Sequence, residues 1–111
     1  MGIEDWKSQI KRGTLEYCVL LLIAQRDCYG YEIMNELGKF SAVAAKEGTT
    51  YPLLRRLEKD GHLRSYWRET VEGLPPRKYY SLTLEGAEYV RLMNAEWENL
   101  IEAMNSMKGE Q

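Results

Sequence analysis

Residues 48–61, GTTYPLLRRLEKDG, carry the clearest periodicity in the chain. Thr50, Leu53, Leu54 and Leu57 recur at i, i+3, i+4 and i+7, one apolar stripe that must face a core. At about 100° per residue, Thr49, Pro52, Arg55, Arg56 and Lys59 fall on the opposite side. Pro52 is tolerated in a first turn, where its missing N–H costs nothing, and Gly61 is a natural left-handed stop. The pattern predicts a short helix that starts near Glu47–Thr50. It has a greasy back and a front of hydroxyls, Tyr51, two arginines and a lysine. A helix that reads base edges in a DNA major groove has this layout. So does an ordinary amphipathic helix with a solvated charged face, and the rest of the chain has to decide.

Upstream, Trp6–Arg26 reads as a helix with a loose first turn before Gly13. Leu15, Cys18, Val19, Leu22 and Ile23 form one face, while Tyr17, Leu20, Leu21 and Ala24 fill much of the other. A helix apolar nearly all round needs cover on both sides, and a second subunit could supply it. Residues 26–30 read as a turn, Tyr31 to about Phe40 as a second helix, and 38–46 as an irregular connection. Helix, turn, helix, short connection, helix is the order of a helix-turn-helix.

After Gly61 the period falls from near 3.6 to near 2, with Leu63, Ser65 and Trp67 alternating with Arg64, Tyr66 and Arg68. A loop with Gly73 and Pro75–Pro76 leads to a second strand over 77–83. The two strands predict a hairpin placed as a wing, with Arg77 and Lys78 toward the loop. Thr83 can cap a last helix whose Val90, Met93, Trp97, Leu100, Met104 and Met107 alternate in steps of three and four, an a/d seam. At roughly 36 Å for 24 residues, that helix outruns what so small a domain can cover, so the seam is expected to join two copies.

A length of 111 residues supports one modest core, and 44% hydrophobic with 11% aromatic residues is a folded composition. The net charge is −2, but it is unevenly spread. Residues 1–54 carry six basic against seven acidic side chains, 55–84 seven against four, and 85–111 two against six. The positive charge gathers around the focal helix and the hairpin, as expected of a protein that meets phosphate with one face. Those cations also discriminate against the alternative, a winged-helix interaction module without DNA specificity, which would not need them. No apolar run nears the ~20 residues of a membrane span. Cys18 and Cys28 form no metal-type pair, His62 is the only histidine, and no nucleophile, metal-ligand or phosphate-loop spacing appears. These features point away from an enzyme, a bound metal or a cofactor, and toward the cytoplasm.

With KRGTLEYCVLLLIA, YGYEI, GTTYPLLRRLEKDGHL and PPRKYYSLTLEG in order over most of residues 10–90, the chain resembles the PadR family of bacterial winged helix-turn-helix transcriptional regulators. Its short end is similar to that of the small members, which carry a single dimerisation helix. The resemblance implies a mainly α fold with a small β-hairpin. Residues 1–83 would be the winged helix-turn-helix domain, with a recognition helix at about 47–60 and a wing at about 63–83. Residues 84–111 would be the C-terminal dimerisation helix. It further implies a homodimeric repressor on a palindromic double-stranded operator, released by a small aromatic or drug-like effector. The expected DNA contacts are Thr49, Thr50, Tyr51, Pro52, Arg55, Arg56, Lys59, Arg77 and Lys78. Some relatives hold planar drugs in a pore at the dimer interface against a tryptophan. Here Trp97 takes that place, with Met93, Leu100, Leu15 and Val19 as the implied lining, or else serves only as a dimer anchor. Two departures stand out: Lys46–Glu47 replace a usual Ser-Pro, which removes a helix cap, and Thr50 replaces a usual leucine. The second leaves Thr50 open to either a core or a DNA role.

Overall fold

The computed structural model describes residues 2–109, so the outer ends of the expected division, at 1 and 111, lie outside the described residues. Four helices and three short strands follow one another: α1 (Ile3–Gln25), β1 (Cys28–Tyr29), α2 (Gly30–Gly38), α3 (Glu47–Lys59), β2 (Leu63–Arg68), β3 (Arg77–Leu82) and α4 (Leu84–Met107). This is the expected winged helix, mainly α with a small antiparallel sheet.

Two readings of the first 30 residues are corrected. Helix α1 runs unbroken through Gly13, whose α-carbon faces open space. Its apolar surround is covered largely by the chain itself, since Leu15, Val19, Leu20 and Ile23 are all buried in the single core. The expected turn at 26–30 contains a strand. Cys28 and Tyr29 pair antiparallel with Tyr80 and Tyr79, giving a three-stranded sheet in the order β1-β3-β2. Two residues are too short to show an alternating pattern, but burial of Cys28 in the core fixes them.

Side-chain alternation sorts the sheet into two faces. Leu63, Ser65 and Trp67 lie opposite Leu82, Tyr80 and Lys78 on one face, while Arg64, Tyr66 and Arg68 lie opposite Ser81, Tyr79 and Arg77 on the other. The first face meets α3: Leu63 is buried beside Leu54 and Leu57, and the Ser65 hydroxyl donates to Glu58. Each fully buried leucine contributes roughly 1.5–3 kcal/mol relative to exposure.

Helix α3 begins at Glu47, inside the expected window. The Lys46 carbonyl accepts from Thr49 and Thr50 N–H, and no side chain caps the end. Pro52 falls in the second turn, not the first. It therefore leaves the Gly48 carbonyl without a helical donor on the exposed side. Gly61 stops the helix at φ +86, as expected. Helix α4 opens where expected: the Thr83 hydroxyl accepts from Gly86 N–H at 2.9 Å and donates to the Gly61 carbonyl at 2.6 Å. A Cβ on Gly86 would collide with the His62 carbonyl, so the entry of α4 is pinned against the turn that ends α3.

Candidate nucleic-acid interface

The buried side of α3 is Thr50, Leu54 and Leu57, which turns Gly48, Pro52, Arg55 and Lys59 outward. Thr50 is 0% exposed, and its hydroxyl has no hydrogen-bond partner. Packing removes it from the expected contact set. Thr49 and Pro52 are exposed and Tyr51 is half-buried.

A groove of about 320 Å³ separates α3 from β3, with Tyr31, Tyr51, Arg55, Arg77 and Lys78 among its walls. Gly30 forms part of its wall and lets Tyr51 pack close. The Tyr51 ring occupies the space a Cβ would take, so this pair fixes how the starts of α2 and α3 approach. Burial raises the Tyr51 phenol above its ordinary value, helped by Glu47 and Tyr80. Burial does the same for Tyr80, with Glu58 adding and Arg55 opposing. Both hydroxyls therefore stay protonated and able to donate.

Aromatic rings hold the wing cations in place. The Arg77 guanidinium lies 4.6 Å from the centroid of Tyr29, and that of Arg68 lies 5.1 Å from Tyr79. Tyr66 stacks on Tyr79 at 5.8 Å and donates its hydroxyl to Asp27. Lys78 is half-buried, 5.6 Å over Tyr80 and 3.7 Å from Glu58.

Charge pairing divides the cations. Arg26, Lys39 and Arg91 are each matched by glutamates on their own stretch of chain. Arg56, expected to act with Arg55, lies 3.6 Å from both Glu16 and Asp60. Among the described residues, Arg55, Lys59, Arg68 and Arg77 have no carboxylate within 4.0 Å. The unneutralised cations thus include Arg55 and Lys59 on the outer face of α3 and Arg68 and Arg77 at the loop end of the wing strands.

Beyond α3, a second groove of about 370 Å³ lies against α1, with Arg12, Thr49, Pro52 and Arg56 on its rim. Arg12 is a cation that reading the sequence by period did not single out, because it sits on the exposed side of another helix. Tyr29 and Tyr31 were also missed. The YGYEI motif was the available signal, but only the backbone shows that its two tyrosines flank the groove.

The α1–α4 side has a different character. A trough of about 560 Å³ is walled by Trp6, Ile10, Tyr17, Met93, Trp97 and Leu100, with Glu96 at its edge. Trp97 packs 5.9 Å from Tyr17, whose hydroxyl donates to Asn94. Burial raises the Tyr17 phenol, with Glu98 and Cys18 adding. Leu15 and Val19 do not line the trough. Both point into the core, Val19 at 0% exposure, so the implied lining is corrected at these two positions. Val90 is corrected in the same way: at 7% exposure it is core of its own chain and not a free interface residue. Leu100, Met104 and Met107 remain exposed along α4, as do Ile3, Trp6 and Ile10 along the start of α1.

A family model described as "Transcriptional regulator PadR-like family" matches residues 19–92. An uncharacterised protein of Lysinibacillus sphaericus is 35% identical over 101 residues, covering 89% of this chain and 92% of that protein. The solved structure of a PadR-like transcription factor from Bacteroides fragilis is 40% identical, with a TM-score of 0.75, covering 93% of this chain and 98% of its own. A PadR-like transcriptional regulator from Bacillus cereus is 32% identical at a TM-score of 0.83, covering 93% and 99%.

Proposed function

Because the chain belongs to the PadR-like family of transcriptional regulators, we propose that it is a homodimeric, sequence-specific repressor that binds a palindromic operator. Residues 1–83 form its DNA-binding unit and 84–111 its dimerisation helix. Helix α3 enters the major groove with Thr49, Pro52, Arg55 and Lys59 toward the bases, and the wing carries Arg77 and Lys78 onto the backbone. The observation that supports this best is the sorting of charge. Arg55, Lys59 and Arg77 are left without acidic partners, while Arg26, Lys39 and Arg91, away from α3 and the wing, are matched by glutamates. A module that only met protein would gain nothing from that arrangement, and phosphate is its natural complement.

Leu100, Met104 and Met107 join two copies along α4. In that dimer a small planar effector lies in the trough against Trp97, with Met93 as an adaptable wall. Selection from a random duplex library tests the reading. A two-fold symmetric motif, its halves about one helical turn apart, is the expected product. Recovery of duplexes without any shared motif would contradict it.

A further inference from the structure

The wing-side groove holds more than the cations already assigned to DNA. Tyr31 and Tyr51 line it, and their hydroxyls have no hydrogen-bond partner among the described residues. Tyr51 is held there by Gly30. Arg55 and Arg77 line the same space without a carboxylate partner, and the Tyr29 ring supports Arg77 from behind. Lys78 is engaged by Glu58. Two unpaired phenol hydroxyls and two guanidinium groups without a carboxylate partner therefore belong to the walls of one small groove.

Resting on the DNA-binding reading above, we infer that Tyr31, Tyr51 and Arg77 form a seat for a single backbone phosphodiester, with Tyr29 as the positioning residue for Arg77 and Arg55 beyond it left to the bases. The chemistry fits a phosphate group closely. Non-bridging oxygens accept O–H and N–H together, and guanidinium groups bind them as planar forks. The location also fits. The groove lies between α3 and the wing, where a strand leaving the major groove passes on its way under the hairpin. Burial keeps the Tyr51 hydroxyl protonated, so the seat remains a donor across the working pH range. Because base identity plays no part, the seat fixes register and leaves sequence choice to the outward face of α3.

The test uses the duplex recovered by selection, carrying one neutral methylphosphonate at each backbone position in turn. Wild-type protein should show at least one position per half-site, the seat's, where neutralisation weakens binding roughly tenfold or more. At that position Tyr31→Phe and Arg77→Ala should lose less than wild type, because their partner is already gone. Arg77→Ala should also flatten the salt dependence by about one phosphate equivalent, which Tyr31→Phe leaves unchanged. Tyr29→Leu should mimic Arg77→Ala in the scan, and Tyr29→Phe, which keeps the ring, should not. A scan in which no phosphate couples to Tyr31 or Arg77, while wild type still prefers its duplex, overturns the seat and spares the regulator. A wild type that binds all duplexes alike brings both down. Exchange of chloride for inorganic phosphate at equal ionic strength should leave binding unchanged. Displacement by millimolar phosphate would assign the groove to a free phosphate ester and overturn the duplex assignment.

Discussion

At the scale of single residues, Thr50 shows what helical periodicity gives and what it withholds. The 100° wheel places it on the apolar stripe, and its hydroxyl near the start of a DNA-type helix makes it look like a contact. Only packing decides, and it buries the hydroxyl with no partner. A buried polar group without a bond costs about 1–3 kcal/mol. Thr50→Val removes the hydroxyl at similar shape and should therefore stabilise the protein by roughly 1 kcal/mol. A urea titration would show this as a higher midpoint at unchanged slope. A lower midpoint would mean that the hydroxyl is satisfied in solution. Arg55 and Arg56 teach a similar lesson. They are neighbours in sequence but about 100° apart around the helix, so one faces the wing and the other reaches Glu16 on α1. The chain's order holds no sign of that distant carboxylate.

At the scale of elements, long periodic segments were legible and short or buried ones were not. Helix α3 starts within the window expected at Glu47–Thr50 and stops at Gly61, and α4 starts after its Thr83 cap. Strand β1 was not legible, because its two residues are held by pairing with β3 and by the buried Cys28, and neither has a local signature. Tyrosine packing knits these elements together and carries a pH consequence. Burial raises the phenols of Tyr80, Tyr51 and Tyr89 above the ordinary 10.0. The folded chain thus keeps protons that the unfolded chain has already lost. The stabilisation is full below about pH 10 and is lost as pH rises through the folded values. Denaturant midpoints measured from pH 8 to 11.5 should stay level and then fall, with phenolate absorption rising as the structure is lost. Tyr80→Phe should soften the fall, and a level midpoint through pH 11.5 would contradict this.

At the scale of the whole molecule, the shape is elongated, with principal extents of 57 × 33 × 22 Å. The distal half of α4 and the start of α1 expose Leu100, Met104, Met107, Ile3 and Trp6, more apolar surface than isolated surface residues explain. The heptad steps in the sequence pointed to this face, although Val90 proved to belong to the core. Leu100→Glu places a charge on the exposed face, so the fold should stand. Sedimentation should find monomers, and operator affinity should collapse because one module buries too little surface. A dimer that survives this substitution would move the interface elsewhere. Whether α3 and the wing read DNA is decided by a salt-dependent binding titration with the duplex just upstream of the protein's own coding region, against a random duplex. Nanomolar preference for the upstream duplex and affinity falling steeply with salt are expected. Loss of roughly 1–3 kcal/mol in Arg55→Ala, against a smaller loss in the already paired Arg56→Ala, completes the expected pattern. Equal weak binding to both duplexes, indifferent to Arg55, would contradict it.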